Sequence, residues 1–216
     1  MFREEAISRI YAGLSFRNAS TRLDTEIVEA LKQAQRDLEK GASLPSWIIA
    51  YDDVSMTGLA DANTVNLPTG FLREVEDEPL YLLDSDGNRV RELERGEYNQ
   101  LRTVWRNLTN YTDTPYSYAR RSTQIVLFPT PSVDWALSWS YYKKQDELST
   151  NIENTWLVNV PDLMIAMAGL KIAADIQDAA ATAKFQALFN RHNGKYLADI
   201  IEDELAGRTF IMGGNN

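Results

Sequence analysis

The chain has 216 residues, no cysteine, 44% hydrophobic and 10% aromatic content, and a formal net charge of -9. That is enough apolar material to bury a substantial core in one body, or one body with an insert. The lack of cysteine excludes a disulfide framework and thiolate metal sites, and the acidic balance argues against a surface that grips nucleic-acid phosphates.

In chain order, the N-terminal stretch MFREEAISRIYAGL carries charges where a secretory segment would be apolar, so the expected compartment is the cytoplasm. Ala6, Ile7, Ile10, Tyr11 and Leu14 recur at three- and four-residue spacing, which predicts a short amphipathic helix over residues 6–14. Leu23, Ile27, Ala30, Leu31, Ala34 and Leu38 form a longer stripe that predicts a second helix, with Gly41 placed as its terminator. The segment Leu44-Pro45-Ser46-Trp47-Ile48-Ile49 reads as a turn into an apolar patch that is either helical or extended.

From about residue 50 to residue 145 the periodicity changes. Val54–Leu59 and Thr64–Leu67 read as extended. Leu80–Leu83, Asp84-Ser85-Asp86-Gly87-Asn88 and Arg89–Arg91 read as a hairpin closed on its Asp-Gly turn. Asp84, Asp86 and Gly87 lack the remaining positions of a calcium loop, so the turn reading is preferred. A helix is predicted over Arg95–Arg106, with Tyr98, Leu101, Val104 and Trp105 on one face. Gln124–Phe128, the breakers Pro129-Thr130-Pro131-Ser132 and Asp134–Lys143 predict a second hairpin; Trp135, Leu137, Trp139 and Tyr141 alternate along its last strand as an apolar face.

Beyond residue 155 the helical period returns. Pro161 suits a first turn, with Leu163, Met164, Met167, Leu170 and Ala174 behind it. A long final helix near Ala179–Leu205 aligns Phe185, Leu188, Phe189, His192, Tyr196 and Ile200. The expected fold class is therefore α+β: a helical bundle from N- and C-terminal helices with an inserted, mostly antiparallel β region. The expected divisions are residues 1–50 and 151–207 for the bundle, 51–150 for the β-rich insert with a short helix, and 208–216 for a tail. That tail carries three large apolar residues, Phe210, Ile211 and Met212, ahead of Gly-Gly-Asn-Asn. The most apolar window, Leu163–Leu170, falls well short of the roughly 20 residues that cross a bilayer, so no membrane span is expected.

Chemistry is sparse. With one histidine and no cysteine, nucleophile triads and multi-histidine metal sites are reduced to His192, which lies on an apolar stripe and reads as a packed or interface residue. No phosphate-cradling glycine motif is present. Paired carboxylates keep a cell-wall hydrolase open as a rival reading, but 31 acidic residues make any pairing uninformative. Three Asn-x-Ser/Thr matches, at Asn18, Asn107 and Asn110, read as accidental. Arg102, Arg106, Arg120 and Arg121, interleaved with Trp105, Tyr111, Tyr116 and Tyr118, form the one basic concentration, read as a solvated region or protein interface ahead of nucleic-acid contact. No catalytic residue, metal ligand or cofactor site is assigned.

Three elements in order carry a resemblance. An L-P-x-x-F-L element is matched by Leu67, Pro68, Phe71 and Leu72. A strand ending in P-x-P is matched by Phe128, Pro129 and Pro131. A Y-Y strand with L-S following is matched by Tyr141, Tyr142, Leu148 and Ser149. With helical segments at both ends, residues 5 to 205 resemble the phage head-to-tail adaptor (connector) family, including the tail tubular A proteins of short-tailed phages.

The resemblance implies a non-enzymatic virion protein of the neck, assembled in the host cytoplasm. Its subunits would form a homo-oligomeric ring of about twelve between the portal protein and a tail or nozzle protein, with genomic DNA passing through without sequence-specific binding. It also implies that the C-terminal segment reaches the portal, with Phe210, Ile211 and Met212 as apolar anchors. Another neck component, a stopper or tail-completion protein, stands as the alternative. Apolar faces around Trp47, Phe185 and Phe189 are expected to serve side-to-side ring contacts.

Overall fold

The computed structural model describes residues 2–15, 20–76, 78–105, 111–149 and 153–207, with side chains described through residue 202. In chain order the described elements are α1 Arg3–Tyr11, α2 Thr21–Glu39, β1 Ile49–Gly58, β2 Thr64–Asn66, β3 Phe71–Glu74, β4 Leu80–Leu83, β5 Arg89–Arg95 and α3 Tyr98–Trp105. They continue with β6 Thr112–Asp113, β7 Ser117–Arg121, β8 Gln124–Phe128, β9 Thr130–Pro131, β10 Trp135–Lys143, α4 Thr155–Asn159, α5 Pro161–Asp175 and α6 Ala179–Gly207. The protein is α+β, and it divides into two compact units: residues 1–48 with 145–216, and residues 49–144.

In the first unit, α5 is the hub. It buries Leu163, Met164, Ile165, Ala166, Ala168, Gly169, Ile172 and Ala173, almost all round its circumference, which a helix does only when neighbours cover several faces. Those neighbours are α1, α2, α4 and α6. Helix α2 starts where the Ser20 hydroxyl accepts the Leu23 N–H at 3.2 Å, and it buries the predicted stripe of Ile27, Ala30, Leu31, Ala34 and Leu38. Its end is a tight turn in which the Gly41 N–H donates to the Leu38 carbonyl at 3.0 Å. Helix α1 begins and ends three residues earlier than its spacing predicts. Its carboxylates Glu4 and Glu5 favour the N-terminal turn, and the chain turns at Gly13, whose N–H donates to the Ile10 carbonyl at 2.8 Å.

Phe185 of α6 is 2% exposed and fills the space beside Gly13 and Gly169. It packs within its own unit. Trp47 is half-buried against Trp156, edge to face at 4.8 Å between ring centroids. A buried polar cluster ties α2 to the returning chain. One Glu39 carboxylate oxygen accepts from Gln35 Nε2 at 3.0 Å, from the Gln145 N–H at 3.1 Å and from Trp156 Nε1 at 3.2 Å. Asn154 donates to Gln35 Oε1 and to the Asp146 carbonyl, both at 2.9 Å, and its own oxygen caps α4 at Leu157. Every donor in this cluster has found an acceptor, the condition under which buried polar groups stabilise.

In the second unit, an eight-stranded, mostly antiparallel sheet runs β1-β10-β4-β5-β7-β8-β2, with β3 also on β10. The one parallel pair within it is β5–β7, joined through α3. The sheet curls until its outer strands β1 and β2 meet, and side chains from β1, β2, β4, β5, β7, β8 and β10 share one core. Gly58 permits the closure, since a Cβ there would lie 2.9 Å from Leu127 Cδ1. The β4–β5 hairpin forms as the sequence predicts, with Gly87 at φ 83°.

The second predicted hairpin does not form. β8 pairs with β7 and β2, whereas β10 pairs with β1, β3 and β4. The intervening Pro129 and Pro131 interrupt the ladder, and both strands are too apolar to leave either edge unpaired. Leu137, Trp139 and Tyr141 are buried on the predicted apolar face of β10.

Candidate interaction surfaces

Phe210, Ile211 and Met212, the expected portal anchors, lie outside the described residues, as do Arg106 and the Asn18, Asn107 and Asn110 matches. His192 is half-buried, its Nε2 3.7 Å from Asp162 Oδ2, while Arg9 engages the other oxygen of the same carboxylate. It sits with Arg9 beside the Asp162 carboxylate, where α1, α5 and α6 meet.

The basic and aromatic concentration is brought together only in part. Arg121 lies over the Tyr98 ring at 5.1 Å, and Arg120, one residue along the strand and so on its other face, lies over Phe71 at 5.0 Å. Alternation along β7 thus divides the two guanidiniums between faces. Tyr118 is buried in the core against Trp139, and burial pushes its hydroxyl far above the usual tyrosine range. Trp105, Tyr111 and Tyr116 do gather: Trp105 stacks on Tyr111 at 6.0 Å and meets Tyr116 edge-on at 5.4 Å. Tyr111, Tyr116 and the neighbouring Val104 are exposed, making an aromatic patch of the kind interfaces favour.

Asp84 Oδ1 accepts from the N–H groups of Asp86 at 3.0 Å and Asn88 at 2.8 Å. Those bonds, Asn88 first, hold the carboxyl below its usual range and turn it into its own loop, as a hairpin turn requires. Among the described residues no group of three His, Asp or Glu side chains is arranged to hold a metal ion.

Two grooves remain. One of about 700 Å³ in the β unit is lined by Glu74, Glu92, Glu94, Arg95 and Arg120, with Glu74 bonded to Arg95 at 2.8 Å. The other, about 400 Å³, lies among α1, α5 and α6; Ile165, Phe185 and Leu188 give it an apolar floor, and Arg9, Lys184 and Arg191 stand around it. The sequence reading named Phe185 and Leu188 without these cations. Lys184 and Arg191 are seven residues apart, two helical turns, and that spacing places both on one side of α6.

The described residues thus show buried polar ties inside one unit, an exposed aromatic patch on the other, and grooves bounded by charge. Over residues 5–209 the chain matches the SU10 adaptor protein family, and it belongs to that family of structural phage adaptor proteins. No curated protein matches the chain. Among the described residues no helix is long and apolar enough to cross a membrane.

Proposed function

We propose that the protein is a head-to-tail adaptor of the virion neck: a ring of copies attached beneath the portal, with the next tail or nozzle component below and genomic DNA passing through the centre. The observation that carries this reading is membership of the SU10 adaptor protein family across residues 5–209. The ordered motifs ending in Leu72, Pro131 and Ser149, which resemble the tail tubular A proteins, support it further. In this reading α1, α2, α5 and α6 form a bundle that builds the ring wall, the β region is an insert facing the tail, and Phe210, Ile211 and Met212 anchor on the portal. A net charge of -9 suits a channel that DNA crosses, because like charges make none of the counterion-releasing contacts that hold a duplex.

The test is to mix the purified protein with its portal and measure particle mass. A complex with about twelve copies is expected. Absence of both ring formation and co-migration overturns the assignment.

A further inference from the structure

Strand β3 carries a carboxylate into the β unit. Glu74 stands directly opposite Tyr141 of β10, and residues paired in this way share a face of the sheet, here the one that buries Tyr141. The Glu74 side chain is 12% exposed at the groove of about 700 Å³, and its Oε2 accepts from Arg95 at 2.8 Å. Oε1 is buried with no hydrogen-bond partner among the described residues. Tyr118 is in a similar position. It is 3% exposed and lines the same groove, and among the described residues no hydrogen bond reaches its hydroxyl. Besides the burial that raises it, the ionisation of that hydroxyl is pushed up by Glu74 and down by Arg95, so the oxygen faces the ion pair. A buried carboxylate oxygen without a donor is costly, and folded proteins rarely leave one so.

The rest of the groove wants the same complement. Glu76, Glu78, Glu92 and Glu94 line it, all exposed and none in an ion pair among the described residues. Its arginines are already engaged: Arg95 by Glu74, Arg73 over the Tyr142 ring at 4.9 Å, and Arg120 over Phe71 at 5.0 Å. Val75, Pro79 and Leu93 supply apolar wall between the charges. We propose that this groove receives an arginine-bearing segment of a different protein, one guanidinium donating to Glu74 Oε1 and to the Tyr118 hydroxyl while its stem lies on the apolar wall. A guanidinium fits because it is planar and carries five N–H donors, enough to serve both oxygens at once. The four outer carboxylates draw such a segment in and hold its further cations. A second copy is the wrong source, since a chain of net charge -9 is repelled by its own kind. The site lies wholly within the β unit and stands apart from the portal ring, which the particle-mass measurement tests.

The test is an NMR titration of the isotope-labelled full chain with the peptide Ac-Gly-Arg-Gly-Arg-Gly-NH2, and with its citrulline counterpart, which keeps the shape and loses the charge. The arginine peptide should bind about tenfold more tightly than the citrulline one and move the amides around Glu74, Glu94 and Tyr118. Glu74→Gln and Tyr118→Phe should each weaken it by about tenfold, the second without touching any ion pair. Glu92→Gln/Glu94→Gln changes only exposed side chains and should weaken it by about threefold, so a result survives even if Glu74→Gln fails to fold. Glu26→Gln/Asp37→Gln on α2 removes the same charge elsewhere and should leave binding unchanged. Equal binding of the two peptides, full affinity in Tyr118→Phe, or equal loss in the α2 variant overturns the proposal, the last because net charge alone would then hold the peptide. If the same amides move when the protein alone is concentrated, the source is a second copy and the assignment to a different protein falls.

Discussion

A Cβ on Gly169 of α5 would lie 2.4 Å from Cε1 of Phe185 on α6, closer than two carbons can approach. Gly13 repeats the relationship from the other side, at 2.2 Å from the ring's Cζ. One aromatic ring thus sets how near α1, α5 and α6 come to each other. Gly169→Ala should lower stability by about 1–3 kcal/mol through overpacking, and Phe185→Ala by about 3–5 kcal/mol through the cavity it leaves. Once Phe185 is alanine, the sign of the glycine change should reverse, since the overlap is gone and alanine favours the helix by about 1 kcal/mol. Urea denaturation of the two single variants and the double variant measures all three.

Glu39 serves three donors with a single oxygen. Removing it in Glu39→Ala leaves Gln35, Gln145 and the Trp156 indole without that acceptor, at a cost of about 3 kcal/mol or more. Asn154→Ala removes the α4 cap together with the bonds to Gln35 and Asp146, and should cost about 2 kcal/mol or more. Chemical denaturation followed by tryptophan fluorescence reports both, because Trp156 belongs to the cluster.

Acid should unfold the protein through its hydrogen-bonded aspartates. Asp178 accepts from the N–H groups of Ala181 at 3.0 Å and Ser15 at 2.8 Å, and these bonds hold its carboxyl below the usual range. For Asp53, burial raises the carboxyl, but bonds from Ser55 and from the Tyr141 hydroxyl outweigh it and the net direction is down. A depressed carboxyl gives stability that is fully present above the unfolded value of about 3.9 and is lost as pH falls through the folded value. Stability should be flat near neutrality on their account and fall below about pH 4. Asp178→Asn should lower stability at pH 7 and flatten the acid limb, as followed by thermal melts across pH.

Deleting residues 208–216 should leave the circular dichroism spectrum and the melting temperature unchanged, because the described cores of both units are built from residues up to Ile200. The same truncation should weaken attachment to the portal in a co-sedimentation assay. Undiminished attachment would refute Phe210, Ile211 and Met212 as anchors.

Helix α2 was legible because it buries one face at a 3.6-residue period, the stripe from Ile27 to Leu38. The β4–β5 hairpin was legible from Asp86-Gly87, a purely local signal. Strand partners were not. β10 lies between β1 and the pair β3 and β4, and nothing near Trp135 in the chain specifies a partner some eighty residues earlier. β7 escaped notice because Ser117-Tyr118-Ala119-Arg120-Arg121 ends in two charges and reads as a loop. Gly169 alone in an apolar helix looks like a defect; its purpose appears only once Phe185 is beside it.

Glu39 and Trp156 stand 117 residues apart in the chain. Their bond imposes an order of events on the ribosome. At about 5–20 residues per second, the first two helices must wait several seconds for their partners to emerge, with the apolar side of α2 uncovered meanwhile. The central segment 49–144 is under no such delay, since all its strands are made consecutively. The middle of the protein is thus positioned to mature while its two ends are still waiting to meet.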